Sequence, residues 1–172
     1  MVPAEAEHPA LSPGSGVYIL LGVSMATEKQ ELGSWGENLI SKKCACPKCK
    51  CLKTLKRLPT NFKCADLVCD FCGYLAQVKS MNVKFLTPLP KQVLGAAWGP
   101  QKARMDAAIY FPLFLVLKSP SGHAVYYLPT DFQSKELFTL RNPLSESAKR
   151  AGWQGFMYNL EAVPQGAMVK IL

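Results

Sequence analysis

Two Cys-x-x-Cys pairs, Cys46/Cys49 and Cys69/Cys72, are separated by 19 residues and constrain this chain more than any other feature. Four thiols in that pattern make a four-thiolate zinc site, in which one ion pins two turns together. Cys44, Cys51 and Cys64 stand as alternative ligands, because Cys44-x-Cys46 and Cys49-x-Cys51 crowd the first pair. The two-residue gap favours Cys46 and Cys49, since it makes a rubredoxin-like turn that aims amides at the sulfurs. Seven cysteines is an odd number, which argues against a full disulfide framework.

Around the first pair the charge is one-sided. Lys42, Lys43, Lys48, Lys50, Lys53, Lys56, Arg57 and Lys63 fall in one stretch, and no acid occurs between Glu37 and Asp66. Such a face attracts phosphate backbones and releases counterions on binding, so Lys53, Lys56 and Arg57 are candidate nucleic-acid contacts. The net charge of +8 on 172 residues agrees. No apolar run approaches the ~20 residues of a membrane helix. Acids at Glu5 and Glu7 replace the basic start of a signal peptide, so a cytoplasmic protein is expected.

Residues 1–24, with Pro3, Pro9, Pro13 and a Ser-Pro-Gly-Ser-Gly stretch, are expected to form a disordered leader before a single domain over 25–172. The zinc module, 46–72, is embedded in that domain. Residues 28–43 read as a helix capped by Thr27, with Leu32, Trp35, Leu39 and Ile40 on one face. Phe62–Val68 and Tyr74–Met81 read as strands joined by a turn at Cys69–Cys72. Residues 88–100 read as a Gly/Pro-rich loop and Gln101–Tyr110 as a short helix. Strands are expected at Phe111–Lys118, Ala124–Leu128 and Ala167–Leu172, and a helix capped by Ser145 at Pro143–Gly152. Together these predict an α/β fold, a mixed sheet flanked by helices.

The hairpin that carries the second Cys pair also carries chemistry. Asp66 precedes the pair and should lie across from Leu75 to Gln77. Gln77 and Lys79 are two apart and share one strand face. Phosphodiester hydrolysis needs a hard cation held by oxygen ligands and an oriented water. Asp66, the Gln77 amide oxygen and the Val78 backbone carbonyl are suited to hold Mg²⁺, and Lys79 to steady the water and the developing charge. His8 and His123, the only histidines, suggest neither a triad nor a catalytic metal.

The run Ala65-Asp66-x-x-Cys69-x-x-Cys72, followed by Gln77-Val78-Lys79-Ser80, resembles the DpnI family of methyl-directed restriction endonucleases. That family has a Cys-x-x-Cys pair, then Ala-Asp-x-x-Cys-x-x-Cys, then an acid-x-Lys-Ser triplet at the same separation. A second stretch repeats in the same order: Pro143-Leu144, Arg150-Ala151-Gly152-Trp153-x-Gly155, Leu160 and Val163-Pro164. The resemblance covers roughly residues 25–172. It implies a PD-(D/E)XK nuclease fold with structural zinc on Cys46, Cys49, Cys69 and Cys72. It further implies a catalytic trio of Asp66, Gln77 and Lys79, and cleavage of double-stranded DNA at GATC carrying N6-methyladenine. Gln77 departs from the family's carboxylate, although glutamine is tolerated there in some nucleases of the superfamily. The family's type member has a C-terminal winged-helix reader, expected here to be absent or supplied elsewhere. A DNA reader preferring the methyl group needs an apolar pocket, for which Trp98 is the candidate, with Lys102 and Arg104 on nearby phosphates. Two other readings stand beside this one, a non-catalytic zinc protein that binds DNA and a repair-type nicking endonuclease.

Overall fold

The computed structural model describes residues 27–60, 62, 64–95, 97–141 and 154–172. The first helix, α1 (Glu28–Lys43), begins where the sequence places it. Thr27 Oγ1 accepts from the Gln30 N–H while the Gln30 side chain accepts from the Thr27 N–H, a reciprocal cap. Among the described residues nine strands follow: β1 (Leu55–Arg57), β2 (Leu67–Cys69), β3 (Leu75–Asn82), β4 (Gln92–Gly95), β5 (Leu113–Ser119), β6 (Gly122–Leu128), β7 (Phe138–Leu140), β8 (Phe156–Asn159) and β9 (Val169–Lys170). A second helix, α2 (Trp98–Asp106), lies between β4 and β5.

Six strands form a mixed sheet in the order β1-β2-β3-β5-β6-β9, and three form a second sheet in the order β4-β8-β7. Among the described strands only β3 and β5 run parallel, with Gln77 beside Leu113 and Lys79 beside Leu115. Leu113–Leu117 on β5 is buried at every position, because this central strand is covered on both faces. On one face Phe114, Val116, Ala76, Val78 and Val125 pack with Ile40 of α1 and with Leu55 and Leu67. On the other, Leu113, Leu115, Leu117 and Leu128 meet Val93, Phe138, Phe156 and Tyr158 of the second sheet. The β3 pleat therefore points Ala76 and Val78 at the helix, and Gln77 and Met81 at the second sheet.

The expectation of an α/β sandwich holds, and some boundaries change. The strand expected at Phe62–Val68 is only Leu67–Cys69. The loop expected at 88–100 instead contains β4, and α2 opens at Trp98 rather than Gln101. At the C-terminal end only Val169–Lys170 is a strand. The helix expected at Pro143–Gly152 lies outside the described residues, as does the leader over 1–24.

At Gly36, α1 lies close against the sheet. A Cβ there would stand 1.9 Å from Ser80 Oγ and 3.2 Å from Ser80 Cβ. Alanine would gain about 1 kcal/mol of helix propensity, but the forced shift costs about 1–3 kcal/mol. Gly36→Ala is thus expected to lower the melting temperature by several degrees (a loss of about 1 kcal/mol shifts a domain this size by ~2–4 °C). Ser80 Oγ is buried without a hydrogen-bond partner among the described residues. Gly36→Ala/Ser80→Ala should therefore recover the loss, as calorimetry of the two variants would reveal.

A four-thiolate cluster beside a candidate active site

The four cysteines of the two Cys-x-x-Cys pairs converge, with all sulfurs within 4.8 Å of one another. Cys46 Sγ lies 3.7 Å from Cys72 Sγ, and Cys49 Sγ 3.7 Å from Cys69 Sγ. A tetrahedron of zinc–sulfur bonds of about 2.3 Å has edges of about 3.8 Å, so the cluster has the dimensions of a zinc site. The ligand ambiguity in the sequence is resolved by packing. Cys44 is buried in the core under α1, and the Cys51 thiol donates to the Cys49 carbonyl at 3.6 Å.

The two turns repeat one another. Cys46 sulfur receives the N–H groups of Lys48 and Cys49, and Cys69 sulfur those of Phe71 and Cys72, at the same offsets. Cys49 receives the N–H of Cys51 and Cys72 that of Tyr74, again in parallel. Donors aimed at sulfur favour thiolate, the ligand form. Burial pushes the Cys46 thiol up to about 12 in spite of its donors. For Cys69 burial acts upward as well, but the Thr54 hydroxyl and the Cys72 and Phe71 amides outweigh it and bring the thiol down to about 6.

Along the same hairpin lies the polar group, Asp66 three positions before Cys69 and Gln77 and Lys79 five and seven positions after Cys72. The Asp66 N–H donates to the Ala76 carbonyl at 2.9 Å, which sets Asp66 against the start of Gln77 as the sequence predicts. Asp66 Oδ2 accepts from the Val78 N–H at 2.6 Å and stands 3.9 Å from Lys79 Nζ. The carboxylate extends the ladder one step past the β2–β3 pairing, and the half-exposed lysine is held over it.

Gln77 is 6 % exposed, and its amide oxygen accepts from the Tyr158 hydroxyl at 2.7 Å. Burial first, then the Asp66 and Cys64 charges, hold the Tyr158 hydroxyl far above its usual pKa, so it remains a donor. That fixes which end of the amide faces it. The oxygen keeps a second lone pair. Tyr158 was not identified from the sequence, and a buried tyrosine 81 positions from its partner leaves no local signal.

The candidate DNA contacts divide. Lys53 is exposed at a left-handed turn, and Lys56 is exposed with its ammonium 3.5 Å from Asp70. Arg57 pairs with Glu37 of α1 at 2.7 Å and with Ser34 at 3.3 Å, tying helix to sheet edge. Trp98 packs half-buried against the core, its ring centroid 6.1 Å from that of Phe156. Lys102 pairs with Asp106 at 2.6 Å. Arg104 donates to the Pro100 carbonyl at 3.2 Å and lies over the Phe111 ring. Among the described residues no helix is long and apolar enough to cross a membrane.

No curated protein matches the chain. A family model described as DpnI, Dam-replacing family, matches residues 21–172, which include the cysteine cluster, Asp66, Gln77, Lys79 and Tyr158. The chain belongs to the DpnI (Dam-replacing) family of restriction-type nucleases.

Proposed function

We propose that the chain is a zinc-stabilised, Mg²⁺-dependent endonuclease of PD-(D/E)XK type that cuts double-stranded DNA at GATC sites carrying N6-methyladenine. The observation that carries this reading is the convergence of Asp66 and Lys79, 3.9 Å apart, beside Gln77 on the strand that follows the cysteine cluster. Asp66, the free lone pair of the Gln77 oxygen and the Val78 carbonyl would hold the cation. Bound Mg²⁺ supplies charge neutralisation at the scissile phosphate. Lys79 donates to the attacking water and to the phosphate oxygens as charge builds on them. Tyr158 holds the Gln77 amide in place, so that side chain meets the site already oriented. Cys46, Cys49, Cys69 and Cys72 would hold the structural ion, Zn²⁺.

One observation favours a second reading, a DNA-binding zinc protein without cleavage. Gln77 brings no charge to the site, and its oxygen already has a partner. Digestion of matched plasmids with and without adenine methylation separates the two. An N6-methyl contact is worth about 0.8 kcal/mol, so a several-fold preference for the methylated plasmid is expected. Equal cutting of both, or faster cutting of the unmethylated one, would refute the methyl preference.

A further inference from the structure

The outer tip of the cysteine module is apolar where a small cationic surface would ordinarily be polar throughout. Phe71, between Cys69 and Cys72, is 72 % exposed, and Leu52, just past the first pair, is 66 % exposed. Both sit on backbone that the sulfur cluster holds: Ala45 bridges to Leu52, and the Asp70 N–H donates to the Thr54 carbonyl at 2.9 Å. Exposed side chains in and beside the same two turns include Lys48, Lys50, Lys53 and Lys56. The acid beside Phe71, Asp70, is neutralised by Lys56 at 3.5 Å.

We propose that this tip is a DNA-contacting wedge, with Phe71 inserting at a base step while the surrounding lysines hold the flanking phosphates. The proposal rests on the DNA-nuclease reading above. Charge selects the partner class, because exposed apolar side chains on a lysine-rich module match a polyanion with apolar faces between its charges, and bases between phosphates are that surface. Position agrees. Cys69 lies three residue steps beyond Asp66, roughly 10 Å at strand rise, and Phe71 lies just beyond. A duplex whose phosphate reaches Asp66 and Lys79 therefore passes the tip about three to five base pairs away, at ~3.4 Å per step. A rigid knuckle suits a wedge, since its backbone loses little freedom on binding.

The test uses the zinc-loaded full chain without added Mg²⁺, in a Lys79→Ala background so that binding is read apart from cleavage. The probe is a short GATC-containing duplex with 2-aminopurine at successive flanking steps. Phe71→Ala and Phe71→Gln are each expected to weaken binding about tenfold, with zinc content and the salt dependence of affinity unchanged. Phe71→Trp should bind like the parent. Lys48→Gln should lower the log–log salt slope by about one. Parent protein should brighten 2-aminopurine at one flanking step, and Phe71→Ala should abolish that signal. Unchanged affinity and fluorescence in Phe71→Ala would overturn the wedge alone, even if the chain cuts DNA. Phe71-dependent binding to phosphatidylserine vesicles, with DNA affinity unaltered, would overturn it in favour of a lipid surface. DNA binding that depends on Phe71, with no cleavage by the unsubstituted chain at any Mg²⁺, would uphold the wedge and refute the nuclease reading.

Discussion

Cys69→Ser is expected to leave the protein unfolded or aggregated. Cys69 is 1 % exposed, ends β2 opposite Leu55, and shares the cluster with Cys49 at 3.7 Å. A four-thiolate zinc site contributes on the order of 10 kcal/mol to the fold of a small module, as much as the whole net stability of a domain. The cost should reach beyond the module, because the strand that Cys69 ends pairs with β3, and β3 pairs with central β5. Elemental analysis should find one zinc per chain. Acid should release it, since protons compete for sulfurs that bind only as thiolates; stability linked to the metal is present at neutral pH and falls as pH falls. A soluble, folded, metal-free preparation would contradict this account.

Lys79→Ala is expected to lower cleavage by about 1,000-fold or more while DNA binding persists, because its charge acts chiefly on the transition state. Asp66→Ala should lose cleavage as well, by removing the charged ligand and the acceptor of the Val78 N–H. Gln77→Glu returns the family's carboxylate to a position where Tyr158 already donates, and should keep or raise activity, most visibly at low Mg²⁺. Single-turnover cleavage and separate binding measurements check all three. Unchanged cleavage by Lys79→Ala would place the active site elsewhere.

The parts of this fold written in short-range chemistry were legible in the sequence. Thr27 and Gln30 announce the start of α1, and the Cys-x-x-Cys spacing announces the knuckles. The placement of Asp66 across from Gln77 followed from where the hairpin turns. What was not legible is long-range. Strands β4, β7 and β8 are three or four residues long, too short for a periodic pattern, and are defined by pairing with each other. Gly36 is a poor helix former, and the reason for it appears only once Ser80 is packed against it. Arg57 read as a nucleic-acid contact, and its partner Glu37, 20 positions away on α1, left no local signal. Trp98 read as a loop residue because residues 88–100 are rich in glycine and proline, yet it opens α2 and the core covers half of it.

The central claim is that Asp66, Gln77 and Lys79 form a working metal-dependent cleavage site, despite the neutral side chain in the middle. The most direct measurement is cleavage of adenine-methylated supercoiled plasmid by the zinc-loaded chain across a Mg²⁺ titration, run beside Gln77→Glu. The account predicts no cutting without Mg²⁺, linear product rising with Mg²⁺, and the Gln77→Glu curve displaced to lower Mg²⁺. Cutting that ignores Mg²⁺, or no cutting by either protein at any Mg²⁺, would contradict it.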